Sequence, residues 1–232
     1  MPRANRHYVP GQLWHITHRC HDRSFLLRFA RDRDCYVAWL REAKKRFGLC
    51  VLNYVVTSNH IHLLVRDGGD DALARSLQLA AGLTARQYNR RKNRQGAFWE
   101  DRYHATAVGA DAHLHRCLVY IDLNMVRAGV VRHPSEWPHG GYNEIQCAPG
   151  HGAVIDLEEL SRLCGFACVQ DLRQAHHEWV AQGLAGNALQ RDECWSEAIA
   201  VGGADFAQSI KRELGIAARH RQVAQVNGTC AA

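Results

Sequence analysis

Four side chains in this 232-residue chain have the types and spacing to hold a cation and attack a phosphorus centre beside it. His60 and His62 flank Ile61 in the apolar run 59–65. If that run is extended, residues two apart share a face, so both imidazoles point one way while Ile61, Leu63 and Val65 point into a core. Two imidazoles on one face of a stiff strand make half a metal site. A chain with 15 histidines also produces such a pair from composition alone, so the pair gains chemical sense only from partners. Tyr120 and Asn124 supply them, because positions i and i+4 lie on one face of a helix. The Asn124 amide oxygen can act as a third ligand and leave positions open for substrate. Imidazole plus oxygen ligation with open positions suits Mg²⁺ or Mn²⁺ on a phosphate better than a closed zinc site. A tyrosine oxygen beside that cation can attack the polarised phosphodiester and form a covalent phosphotyrosine. The cation would also stabilise charge developing on the phosphoryl oxygens.

These side chains need a scaffold, and the apolar pattern supplies one. Residues 11–19 alternate, with Leu13, His15 and Thr17 on one face and Trp14, Ile16 and His18 on the other, which predicts a first strand. Tyr36, Val37, Leu40, Ala43 and Phe47 recur at helical spacing over 31–47, and Gly48 follows as a stop signal. Residues 49–57 and 60–66 read as a β-hairpin joined by a tight link at 58–59. A helix over 71–91, a strand over 97–108 and a helix over 111–128 complete the order. The expected fold class is α+β: a β-α-β-β-α-β, ferredoxin-like antiparallel sheet followed by a tyrosine-bearing helix. Helices on one face would leave the other face for function. Glycines and prolines crowd 130–155, predicting a loop. Beyond it, 156–163, 169–184 and 205–214 return to helical spacing and the tail 217–232 reads as weakly ordered. The organisation expected is a catalytic unit over 1–145 and a small helical C-terminal appendage over 156–216.

Charge suggests a partner. The chain carries a formal net charge of +6, which permits a polyanion. Residues 1–33 hold seven Arg against two Asp. Residues 86–103 hold Arg86, Arg90, Arg91, Lys92, Arg94 and Arg102 against Glu100 and Asp101, interleaved with Tyr88, Phe98, Trp99 and Tyr103. Basic side chains neutralise phosphates and aromatic faces stack on unpaired bases, so Arg86, Arg90, Arg91, Lys92, Arg94, Trp99 and Arg102 are the expected nucleic-acid contacts. A solvated helix face is the bland alternative for the same run. No apolar run approaches the roughly 18 residues that cross a bilayer, and the first residues lack the apolar core of a secretory signal. Nine cysteines without a Cys-x-x-Cys pair read as reduced thiols in a cytoplasm. Cys164 and Cys168 with His176 and His177 match no standard zinc spacing.

The stretch Tyr-Val-Val-Thr-Ser-Asn-His-Ile-His-Leu-Leu-Val (54–65) resembles the His-hydrophobic-His (HUH) strand of the single-tyrosine transposases of small insertion sequences. Tyr-Ile-Asp-Leu-Asn-Met-Val-Arg-Ala-Gly (120–129) is similar to their tyrosine helix. More narrowly, the chain resembles the REP-associated tyrosine transposases, which carry Asn-Pro-Val-Arg-Ala after the tyrosine and a segment like Phe-Trp-Glu-Asp-Arg-Tyr (98–103). Met125 stands where that group has Pro, a departure expected to alter helix geometry more than ligation. The resemblance covers about 8–145. It implies a metal-dependent nuclease and strand transferase acting on hairpins of single-stranded DNA, with His60 and His62 as ligands, Asn124 as the third and Tyr120 as nucleophile. The 5′ end would stay on the tyrosine and a free 3′-OH would be left. The resemblance further implies a nucleoid-associated cytoplasmic protein, monomer or homodimer.

Competing chemistries fit less well. A histidine-triad hydrolase needs a third histidine where Leu64 stands, and a two-histidine phosphoesterase needs a second His-x-Thr/Ser beside His15-Ile16-Thr17. The remaining competitor is a hairpin-DNA-binding regulator that uses the same fold without chemistry.

Overall fold

The computed structural model describes residues 11–110, 112–147, 152–186, 190, 192–214 and 224–225. The leader reading of the first residues falls outside these, as does the tail reading apart from 224–225. Strand β1 (Leu13–Arg19), helix α1 (Ala30–Phe47), strands β2 (Cys50–Val56) and β3 (His60–Arg66), helix α2 (Ala72–Arg91) and strand β4 (His104–Val108) follow in the expected order. They form one sheet in the order β2-β3-β1-β4, each neighbouring pair antiparallel.

Local chemistry accounts for these elements. Tyr36, Val37, Leu40 and Ala43 of α1 are buried at three- and four-residue spacing, and the helix ends where Gly48 turns left-handed (φ 69°) and its N–H bonds the Lys44 carbonyl. In β3, residues 61–65 are buried on both faces, as a central strand requires. β4 is shorter than the sequence pattern suggests, beginning at His104 rather than Ala97.

Register decides which side chains share a face. Thr17 lies opposite His62 and also opposite His104, and Arg19 lies opposite His60. His15, Thr17, His60, His62, His104 and Thr106 therefore share one face, and Trp14, Ile16, His18, Ile61 and Leu63 share the other. α1 and α2 pack together on the second face, where Trp99 contacts both His18 and Tyr36. The first face is not left open as expected. Helix α3 (Ala112–Asp122) lies across β2, β3 and β4 there.

The tyrosine helix is also not continuous over 111–128. It breaks at Leu123 (φ −78°, ψ 4°), and a short helix α4 (Asn124–Arg127) follows. The Tyr120 carbonyl at this break accepts from the Arg127 guanidinium.

Within the segment expected as a loop, residues 130–147 form a strap with a short helix, α5 (Tyr142–Gln146). It runs along the outer edge of β2: Val56 N–H bonds the His139 carbonyl and Gly141 N–H bonds the Tyr54 carbonyl, both at 2.8 Å. The fit is close enough that a Cβ on Gly141 would stand 2.2 Å from Asn53 Oδ1. Covering the strand in this way also removes an edge open to pairing with another chain.

Helices α6 (Leu157–Leu163), α7 (Val169–Ala185), α8 (Cys194–Glu197) and α9 (Ala204–Leu214) fill the C-terminal part. A strand the sequence pattern did not reveal lies among them. β5 (Ala200–Gly202) pairs parallel with β4, and β6 (Ala224–Gln225) pairs parallel with β5. Leu160, Leu172, Trp195 and Val201 share one buried cluster with Ile16 and Leu63, so the C-terminal residues complete the core of the sheet. Among the described residues no helix is long and apolar enough to cross a membrane.

Candidate active site

His60, His62, Tyr120 and Asn124 line a single cavity of about 620 Å³ at the end of the sheet. The His60 and His62 rings lie 4.9 Å apart between centroids, and the Tyr120 ring stands edge-on to His62 at 5.8 Å. Strand alternation presents the imidazoles, and α3 carries the phenol over them. The break at Leu123 does not take Asn124 out of the cavity. Arg19, Arg102 and Arg127 also line it, with Glu100 and Asp101.

Hydrogen bonds fix the histidine tautomers. His15 Nδ1 lies 2.9 Å from the Trp195 carbonyl, which can only accept, so Nδ1 carries the proton. Burial holds His15 neutral, with its pKa lowered to about 3. Its Nε2 is then an acceptor, and it lies 2.9 Å from His62 Nδ1, which must donate. His62 is held neutral by burial, reinforced by neighbouring His60, so its remaining lone pair is on Nε2. His60 Nδ1 lies 2.7 Å from Asn59 Oδ1 and 3.0 Å from Thr57 Oγ1. Donation to the Asn59 oxygen puts the proton on Nδ1 and the lone pair on Nε2 here too. Both imidazoles are thus set in the tautomer that a cation ligand needs, each with its other nitrogen engaged by a supporting group. Among the described residues no three His, Cys, Asp or Glu side chains gather as a metal cluster. The cavity offers the two imidazoles and the Asn124 amide, with the Glu100 and Asp101 carboxylates and His104 also on its lining, and nitrogen and oxygen donors of this kind suit a cation with open positions.

Tyr120 is only 9% exposed. His15 stands edge-on to its ring at 5.9 Å, Trp195 tilts against it at 5.8 Å, and the Arg127 guanidinium lies 4.2 Å from its centroid. A cation over the ring favours negative charge developing on the phenolic oxygen.

The helix beneath the tyrosine is pinned by a buried polar cluster. Asp122 bonds His176 of α7 at 2.7 Å and Asn53 of β2 at 3.0 Å, and Gln146 donates to the other nitrogen of His176 at 2.8 Å. His176 is therefore engaged here rather than with Cys164 or Cys168.

Of the expected nucleic-acid contacts, Arg102 lines the cavity. Arg86, Arg90, Arg91, Lys92 and Arg94 lie on α2 and the turn after it. Arg91 pairs with buried Asp32. Arg94 donates to the Gly96 and Ala97 carbonyls and to Asn89, bracing the turn. Trp99 is half-buried, stacked on His18 at 4.1 Å with its N–H on the Ala81 carbonyl. Sequence reasoning gave no site role to His15, Arg127 or Trp195. His15 did carry a signal, since alternation puts it on the face of His62 once the strands are paired. Trp195 carried none.

The chain matches the family model described as "Transposase IS200 like" over residues 9–124. Among solved structures, it is similar to a REP-associated tyrosine transposase bound to a REP hairpin, with a TM-score of 0.52 and 21% identity over 67% of this chain and 94% of that one. At that identity the likeness concerns the fold. A candidate transposase from Deinococcus radiodurans R1 gives a TM-score of 0.36 and 18% identity over 46% of this chain and 86% of that one. No curated protein matches.

Proposed function

The chain belongs to the IS200-like transposase family, and from that premise we propose that it nicks and rejoins single-stranded DNA beside a hairpin, with Tyr120 as the nucleophile. The observation that carries this reading is the Tyr120 ring against His62, in a cavity that also holds His60 and Asn124. The REP hairpin held by the structurally similar transposase supports hairpin DNA as the substrate class.

The roles follow from the residues. His60 Nε2, His62 Nε2 and the Asn124 amide oxygen would hold Mg²⁺ or Mn²⁺. Such an ion, when bound, polarises the scissile phosphate and offsets its charge. The Tyr120 oxygen attacks phosphorus, an O–P bond forms to the tyrosine, and the bond from phosphorus to the 3′ oxygen breaks. The phenolic proton is lost and the departing 3′ oxygen takes one up, leaving a 3′-OH and a 5′-phosphotyrosine. Arg127 steadies the phenol and its carbonyl. Arg19 and Arg102 offer phosphate contacts. Rejoining is attack of a 3′-OH on the phosphotyrosine and needs no external energy.

The test uses hairpin DNA with single-stranded flanks, with Mn²⁺ or with EDTA. The expected result is metal-dependent nicking with a protein–DNA adduct that survives SDS. Tyr120→Phe should abolish the adduct and retain hairpin affinity. Tight binding by the wild type without nicking or adduct would overturn the enzymatic reading in favour of a hairpin-binding regulator.

A further inference from the structure

Among the described residues only three large apolar side chains are prominently exposed, and two of them lie on the loop that leads out of the candidate site: Phe25 at 66% and Phe29 at 56%. Their exposure is built in. Between them Leu27 is fully buried as a plug, its N–H bonds the Ser58 carbonyl, and Arg33 donates to the carbonyls of Leu27 and Arg28. The backbone between the two rings is thus held at Leu27 and Arg28. Cations attend the second ring: Arg28 lies 5.9 Å and Lys92 5.5 Å from the Phe29 centroid. Arg23 and Arg31 are exposed on the same segment, against exposed Asp22 and Asp34. The other acid, Asp32, is buried and taken up by Arg91. The solvent face is therefore aromatic and net basic.

Its position ties it to the cavity. Arg19 lines the cavity, and the loop begins directly after it. The Asn59 side chain donates to the Arg23 carbonyl while its oxygen meets His60 Nδ1. One residue thus joins the aromatic loop to a candidate ligand. Lys92 joins the same loop to the basic end of α2.

We propose that Phe25 and Phe29 form a stacking platform for unpaired nucleotides of the strand that enters the cavity, with Arg28 and Lys92 holding its phosphates. Exposed rings flanked by cations match what single-stranded nucleic acid presents, which is base faces beside a phosphate chain. A protein partner docking through apolar contact has no use for this much unneutralised charge. This platform rests on the DNA reading above and specifies how the strand is held outside the hairpin.

The experiment measures affinity by fluorescence anisotropy in EDTA, so that nothing is cut. Labelled probes are a blunt hairpin and the same hairpin with about four unpaired nucleotides on its 5′ or its 3′ side. Phe25→Ala and Phe29→Ala should each weaken binding to one flanked probe about tenfold and leave the blunt hairpin unchanged. Phe29→Trp should retain affinity, because stacking survives. Both rings are on the surface, so melting temperatures should not move. Unchanged affinity of the double alanine variant for both flanked probes, or an equal loss on the blunt hairpin, overturns the platform. Failure of the wild type to bind any of the three probes would instead sink the DNA reading itself.

Discussion

At the scale of single residues, the chemistry turns on which nitrogen of each imidazole carries a proton. His15 is not itself one of the proposed ligands, yet it sets the tautomer of His62 through a buried relay that ends on a carbonyl. His15→Leu removes the acceptor for His62 Nδ1–H and lets the proton move to Nε2, the atom a cation needs. Loss of such a supporting partner typically lowers metal affinity about 10- to 100-fold. Calorimetric titration of Mn²⁺ should show that loss, with His15→Gln recovering part of it because the amide can both accept and donate. Equal Mn²⁺ affinity in His15→Leu would remove the relay from the account of the site.

At the scale of elements, two polar contacts hold the tyrosine helix and the strap in place. Asp122 is buried between α3, β2 and α7, with His176 and Asn53 as partners. His176→Ala leaves that carboxylate buried with one partner fewer, a change worth about 1–3 kcal/mol of stability, measurable by urea unfolding. On the strap, His139 accepts from Arg33 Nε at 3.1 Å and donates to Asp34 at 2.9 Å. Burial, aided by Arg33, lowers the His139 pKa below the usual histidine value, against the pull of Asp34. The unfolded chain therefore takes up this proton first as pH falls through about 6.5, and stability drops from there until the folded state protonates as well. Unfolding measured from pH 7.5 downward should show the fall, and His139→Gln should flatten it. Much at this scale was legible beforehand. The alternation of β1 and β3 and the apolar spacing of α1 and α2 are long, periodic and local. The break at Leu123 was not, because the apolar pattern runs through it and the interruption involves the Arg127 guanidinium. β5 was not legible either, since three residues are too few to show alternation.

At the scale of the whole molecule, the excess of basic residues lies within the matched family span, whereas the core extends beyond it. Arg86 and Arg90 are exposed on α2, whereas Arg91 and Arg94 are engaged within the protein. Arg86→Glu with Arg90→Glu should therefore weaken hairpin binding and reduce the slope of log affinity against log salt by roughly one for each phosphate no longer neutralised. An unchanged slope would make that face mere solvated surface. The four cavity residues could be paired from the sequence because their types are chemically distinctive. The contribution of the C-terminal residues could not, because it is made by a main-chain carbonyl, which every residue has, and by an interaction spanning 180 residues of chain. That carbonyl bears on how the protein can be dissected. A compact nicking reagent trimmed to residues 9–124 would keep all four of those side chains and still be miswired: His15 would lose its anchor at Trp195, and β4 would become a bare rim inviting self-assembly. Shortened versions should fail through misplaced protons and clumping rather than for want of a nucleophile.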